Sequence, residues 1–176
     1  GFARWAVAPG DAVLPLPASF SFDEGACLLG GAETAYHALV HRAGLRAGET
    51  VLVLGATGST GLAAVALAKL QGAIVIAAGR NEDKLAVTRA QGADHVVVIG
   101  DGRPRLSAEV KRITEGHGAD VVYDPIGGEA SIEGLRAASY GARVLVVGWA
   151  STPLVAREGR DPNTLPTNLV LMKSLD

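Results

Sequence analysis

From Glu49 onward the chain repeats one pattern: short, continuous apolar runs alternate with helix-length segments. The runs span 50–54, 73–77, 95–99, 119–123 and 143–147, and they are rich in β-branched residues. A strand with one wet face alternates apolar and polar residues; a strand apolar throughout has both faces covered. Helix-length segments at 62–70, 82–91, 106–115 and 130–139 supply that cover. The expected fold is α/β, a doubly wound parallel sheet with helices on each face. Gly72, Gly92, Gly116 and Gly141 follow the four helices, as C-terminal caps do. Glycine is 23 of 176 residues, well above the usual ~7%. The remaining excess belongs at tight turns and where backbones or ligands approach closely.

Before this repeat, 2–7 alternates weakly, as a half-buried strand would, and Pro9, Pro15 and Pro17 then break regular structure. The segment 21–42 reads as helical, with Ser21 as N-cap and Glu24 at the third helical position. Gly25, Gly30 and Gly31 predict two helical pieces there. Beyond the repeat, 151–167 is rich in Pro, Asn and Asp and reads as loop, and 169–172 opens a further element. The expected division is 1–20 as the tail of another domain, 21–48 as a helical connection and 49–176 as the α/β domain, truncated at its C-terminal end.

Hydrophobic residues make up 48% of the chain and the net charge is −2, which suits a buried core and not a disordered chain. There is no basic footprint for nucleic acid, and no apolar run reaches the ~18 residues of a membrane span. The opening Gly1-Phe2-Ala3-Arg4-Trp5 has neither a Met nor a basic start ahead of a long apolar stretch. It reads as internal sequence, not as a secretory signal. Cys27 is the single cysteine, so an internal disulfide and a four-cysteine zinc site are excluded and a reducing, cytoplasmic setting is expected. In its apolar surroundings Cys27 is expected to be buried and inert. His37, His41, His95 and His117 show no metal-ligand spacing with one another or with Cys27.

The first strand runs directly into Gly55-Ala56-Thr57-Gly58-Ser59-Thr60-Gly61 and then a helix. A helix N-terminus offers unpaired N–H groups and the positive end of a dipole, and glycine lets a pyrophosphate come close. Gly61 lets the helix pack near the strand, and Ser59 and Thr60 add hydroxyl donors. The strict G-x-G-x-x-G pattern is missed at Ala56, but the strand–loop–helix context supports dinucleotide binding in a Rossmann-type domain. After the second strand come Gly79, Arg80 and, one helical turn on, Lys84. An acidic residue there would bond the ribose 2′-hydroxyl of NAD; two cations suit the 2′-phosphate of NADP(H). Asp124 stands before Pro125 and is expected to fix a turn, not to act as a catalytic acid. The Arg103-Pro104-Arg105 stretch reads as a solvated charged loop.

Glu33-Thr34-Ala35-Tyr36-His37-Ala38-Leu39, Leu45-Arg46-Ala47-Gly48-Glu49-Thr50-Val51-Leu52-Val53, the segment from Val121 to Gly128 and that from Gly141 to Gly148 together resemble the medium-chain dehydrogenase/reductases. Within them the resemblance is to the zinc-independent, quinone-oxidoreductase-like (zeta-crystallin-like) branch. It implies an enzyme of roughly twice this length, whose catalytic domain lies mainly upstream and whose final strand follows Asp176 and pairs subunits into a homodimer. It also implies that Thr34, Pro125, Ile126, Gly148 and Trp149 approach the nicotinamide. Ile99 stands where relatives often place a tyrosine against the adenine. Gly30 falls near the position that carries a metal-ligating residue in zinc-dependent relatives, which favours a zinc-free mechanism. The implied activity is NADPH-dependent hydride transfer to a quinone or α,β-unsaturated carbonyl, with the catalytic residues unknown and no nucleic-acid or membrane partner.

Three rivals stand beside this reading. A short-chain dehydrogenase would need Tyr-x-x-x-Lys, but Tyr36, Tyr123 and Tyr140 are followed at that spacing by Val40, Gly127 and Val144. A non-catalytic NADPH-binding module and an enoyl-reductase domain of a larger synthase stay open.

Overall fold

The computed structural model describes residues 3–100, 102–103, 105–150 and 164–176. Helix α1 (Phe22–Tyr36) leads through a π-helical turn (His37–Arg42) into the regular repeat. Then follow β1 (Thr50–Val53), α2 (Ser59–Leu70), β2 (Ile74–Gly79), α3 (Glu82–Ala90) and β3 (His95–Val98). After these come α4 (Leu106–Ile113), β4 (Ala119–Asp124), α5 (Glu129–Ala137), β5 (Ala138–Val146) and α6 (Thr167–Lys173). The five strands form one sheet in the order β3-β2-β1-β4-β5, every pair parallel.

Both faces of that sheet are dry, as the unbroken apolar runs require. Val51, Val53, Val75, Val121 and Tyr123 pack with Ala35 and Leu39 before the sheet, and with Val65 of α2 and Leu85 of α3. Leu52, Leu54, Ile76, Val97 and Val122 pack on the other face with Leu106 and Val110 of α4 and Ala137 of α5. Each fully buried Leu or Val contributes about 1.5–3 kcal/mol relative to exposure, so the two layers hold the strand ends in fixed register.

The capping box at the start of α1 forms as expected: the Ser21 hydroxyl accepts the Glu24 N–H at 3.2 Å, and Glu24 accepts the Ser21 N–H at 2.8 Å. The expected break at its glycines does not occur. α1 runs unbroken through Gly25, Gly30 and Gly31 and changes geometry only at His37. Gly31 is held there by packing, since a Cβ would lie 3.0 Å from the Ser59 carbonyl oxygen of α2. The half-buried strand expected at 2–7 is also absent over its described part. Trp5 and Val7 are 84% and 104% exposed, and residues 3–9 join no sheet.

At the far end, the helix expected over 130–139 stops at Ala137, and β5 begins at once. Gly141 therefore lies inside β5, where pairing with β4 shifts register between Ala119 and Val121, and it caps no helix. The element expected at 169–172 is helix α6, which starts at Thr167. The loop expected at 151–167 lies outside the described residues except for 164–166. Past α6, Asp176 donates its N–H to Ala142 O (3.0 Å) and accepts from Val144 N (2.7 Å), the parallel-bridge pattern on the outer edge of β5.

Candidate functional site

The strand order reverses between β1 and β4, because β2 and β3 extend the sheet one way and β5 the other. Ligands of such sheets bind in the crevice outside the carboxyl ends of the strands at that switch point. Gly55 and Thr57 follow β1, Gly79 ends β2 with Arg80 after it, Ile99 follows β3, Pro125 and Ile126 follow β4, and Gly148 and Trp149 follow β5. The topology thus brings these sequence-predicted residues to one edge.

The loop after β1 is tighter than expected. α2 begins at Ser59, not Leu62, so Ser59, Thr60 and Gly61 form its first turn. Gly58 N bonds Gly55 O at 3.0 Å, and Ala56 N ties the loop to Ala78 O of β2 at 3.1 Å. A Cβ on Gly61 would lie 2.8 Å from Ala56 Cα and collide with the Gly55 carbonyl oxygen. Only glycine lets α2 start this close to β1. Gly55, at φ +58°, sits under Ile126, whose Cδ1 would be 2.5 Å from an added Cβ.

Like α5, which starts behind Gly128, α2 has no side-chain cap, whereas α1, α3 and α4 have a side-chain acceptor at their starts. Ser21 caps α1, the Asn81 side chain accepts Lys84 N at 2.9 Å to cap α3, and Glu133 accepts Ser107 N at 3.2 Å in the first turn of α4. Gly58 has no side chain to offer. The N–H groups of Ser59, Thr60 and Gly61 make no hydrogen bond among the described residues. Open N–H groups at the positive end of a helix dipole suit an anionic group.

The turn after β4 is built around Asp124, which is 2% exposed. Its Oδ1 accepts Ile126 N (2.8 Å) and Gly127 N (3.0 Å), and its Oδ2 accepts the Ser131 hydroxyl. All its strong acceptor sites are committed to shaping the turn, as expected. Val147 N and Gly148 N bond Asp124 O at 2.8 and 3.3 Å, which draws the end of β5 over the same turn.

Arg80 and Lys84 are exposed, and neither side chain has a hydrogen bond or ion pair among the described residues. Glu82, between them in sequence, is directed to Arg103 at 3.5 Å. Arg103 and Arg105 are exposed, in keeping with a solvated loop; Pro104 lies outside the described residues. Ile99 donates its N–H to Gly79 O at 2.9 Å and lines a cavity with Gly100, Arg105, Leu106 and Ala130.

Thr34 sits apart, on α1. Its hydroxyl donates to Gly30 O at 2.7 Å, so its proton is committed to its own helix, and it lines a cavity with the end of β5 (Val144, Leu145, Val146) and the Val147 that follows it. Cys27 is exposed, contrary to expectation, because α1 turns that side of its surface to solvent. Among the described residues no three His, Cys, Asp or Glu converge in a way that could hold a metal ion, and none of their helices is long and apolar enough to cross a membrane.

Tyr123 was invisible as a site residue in the sequence. It is fully buried in the face beneath α2, and its hydroxyl has no formed hydrogen bond. Burial pushes the phenol pKa up, while the Thr60 hydroxyl facing it works in the other direction.

A family model described as zinc-binding dehydrogenase matches residues 59–176. The chain belongs to the medium-chain dehydrogenase/reductases, in their quinone-oxidoreductase-like branch. It is 37% identical over 175 residues to a quinone oxidoreductase-like protein 2 homolog of Nematostella vectensis, covering 99% of this chain and 45% of that protein. The structure of the quinone oxidoreductase from Thermus thermophilus, also solved with NADPH, has a TM-score of 0.79 at 31% identity, covering 96% of this chain and 50% of that one. An NAD-dependent alcohol dehydrogenase structure gives 0.83 at 33% identity, covering 96% and 46%. The chain therefore spans about half the length of the relatives it matches, and its five-stranded parallel sheet is their nicotinamide-dinucleotide-binding fold.

Proposed function

We propose that the chain is the cofactor-binding part of an NADPH-dependent oxidoreductase that passes hydride to a quinone or an α,β-unsaturated carbonyl without zinc. The observation that carries the cofactor choice is the pair Arg80 and Lys84, exposed and without a partner among the described residues, at the same sheet edge as the open start of α2. NADPH, when bound, supplies the hydride, and the protein supplies position and electrostatics. The first turn of α2 receives the pyrophosphate, and Gly61 lets that turn start close against the end of β1. Arg80 and Lys84 meet the 2′-phosphate, and Ile99 packs against the adenine in place of a stacking ring. The Asp124-anchored turn, with Pro125 and Ile126, and the Gly148-Trp149 segment flank the nicotinamide, with Thr34 facing it from α1.

The groups that stabilise the reduced carbonyl oxygen lie, in this reading, on chain outside these residues. Residues 3–20 support that division: Trp5, Val13 and Leu14 are exposed here and would pack on a substrate domain. The bridge at Asp176 supports a further strand beside β5 and a homodimer through that edge.

Titration with NADPH and NADH, followed by a quinone and enone screen monitored by loss of reduced nicotinamide, tests this. Preference for NADPH and steady turnover with at least one acceptor are expected. Equal affinity would remove the assignment of Arg80 and Lys84. Tight NADPH binding without turnover of any acceptor by the full-length protein would favour a binding module.

A further inference from the structure

Tyr123 lies on β4 between Val53 of β1 and Leu145 of β5 and points into the layer under α2. A fully buried phenol with no formed hydrogen bond is unusual, because buried donors are nearly always paired. Its neighbour is the Thr60 hydroxyl, in the first turn of α2. Thr60 is itself unusual among helical threonines here. Thr34, Thr88 and Thr114 donate their hydroxyls to carbonyls of their own helices (2.7, 2.6 and 2.9 Å). Among the described residues Thr60 makes no such bond.

A hydroxyl has one donor and two acceptor sites. The Thr60 oxygen can therefore accept a hydrogen bond from the phenol below while its own O–H donates to a group above, where the N–H groups of Ser59, Thr60 and Gly61 are open among the described residues. An anion at that point completes the chain of donors and lets each bond strengthen the next. We infer that Tyr123 is a positioning residue for a bound pyrophosphate: it holds the Thr60 hydroxyl so that its proton points at a phosphate oxygen. This rests on the dinucleotide reading above and adds to it a residue that never touches the ligand.

Tyr123→Phe removes only the phenol oxygen, and Thr60→Val keeps the shape of threonine without its donor. Affinity for NADPH and NADH is measured in wild type, both single variants and the double variant. A carbon-13 label on the tyrosine Cζ reports the hydrogen bonding of Tyr123 directly. Each single variant should bind both dinucleotides about three- to tenfold more weakly, and the double variant no more weakly than either. The Tyr123 Cζ resonance should move when dinucleotide is added to wild type and stay still in Thr60→Val. Wild-type affinity in Tyr123→Phe, additive losses in the double variant, or an unmoved resonance in saturated wild type would overturn the relay and leave the dinucleotide reading standing. Failure of wild type to bind either dinucleotide would remove both. The label measurement holds even if Tyr123→Phe loses stability.

Discussion

At the amino edge of the sheet, Asp120 accepts the Thr50 N–H at 2.8 Å, His117 Nε2 lies 2.8 Å from its other oxygen, and the Ser139 hydroxyl approaches at 3.4 Å. Asp94 likewise accepts the Val75 N–H (2.8 Å) and pairs with Lys69 (2.6 Å). At the carboxyl edge, among the described residues, the first turn of α2 has three open N–H groups, Arg80 and Lys84 have no carboxylate partner, and the Tyr123 phenol has no closed bond. The same sheet thus completes its polar groups at one end and leaves them open at the other. Asp124 is the exception that supports the rule. It is closed, but its bonds shape the turn that bounds the open region.

The largest effect should come from removing that exception. Asp124→Ala leaves the buried Gly127 N–H, the half-buried Ile126 N–H and the buried Ser131 hydroxyl without their acceptor. Chemical denaturation should show a loss of about 3–4 kcal/mol, since each unsatisfied buried donor costs about 1–3 kcal/mol. A loss below about 1 kcal/mol would mean that water replaces the carboxylate and that the turn is not anchored by it.

Breaking the open edge should change binding instead. Arg80→Ala should weaken NADPH by about 1.5–3 kcal/mol, the worth of a hydrogen bond to a charged group, and leave NADH within about twofold. Calorimetric titration of both cofactors separates the 2′-phosphate from everything the two share. Gly61→Ala should cost about 1–3 kcal/mol of stability by overpacking against Gly55 and Ala56, and should weaken NADPH and NADH alike because it moves the start of α2.

The smallest effect belongs to the closed edge. Burial opposes the charge of Asp120, but the Thr50 N–H, His117 and Ser139 outweigh it and hold its pKa below the ordinary 3.8. Asp94 is lowered in the same way against burial, by Lys69 and the Val75 N–H. A depressed carboxylate contributes stability that is complete above its unfolded pKa and is lost as pH falls through its folded one. Asp120→Asn should therefore cost on the order of 1 kcal/mol near neutrality and flatten the acid limb of a stability–pH curve below 3.8. NADPH affinity should not change. A change there would mean that the two edges are coupled.

The sequence made the sheet and its reversal point legible because continuous apolar runs have one physical explanation in a parallel, two-sided core. It made the phosphate loop legible through glycine, whose steric permission is local. What escaped it was set by contacts between distant residues. Ser59 and Thr60 are weak helix formers, so the first turn of α2 read as loop; packing of Gly31 against Ser59 places helix there. Residues 138 and 139 read as helix, but pairing of Ala138 with Ala119 makes them strand. Cys27 read as buried from its apolar neighbours, but Leu28 and Leu29 are themselves 38% and 54% exposed. Tyr123 read as one more core residue, since its relation to Thr60 spans the gap between β4 and α2.

The contrast between the two edges is tested most directly by assigning the backbone amide resonances and following them through an NADPH titration. The largest shifts should fall at 57–62, 79–84, 99–100 and 126–128, with 50, 75, 94 and 120 unmoved. Shifts concentrated around Asp94 and Asp120, with the start of α2 silent, would contradict the placement of the cofactor at the open edge.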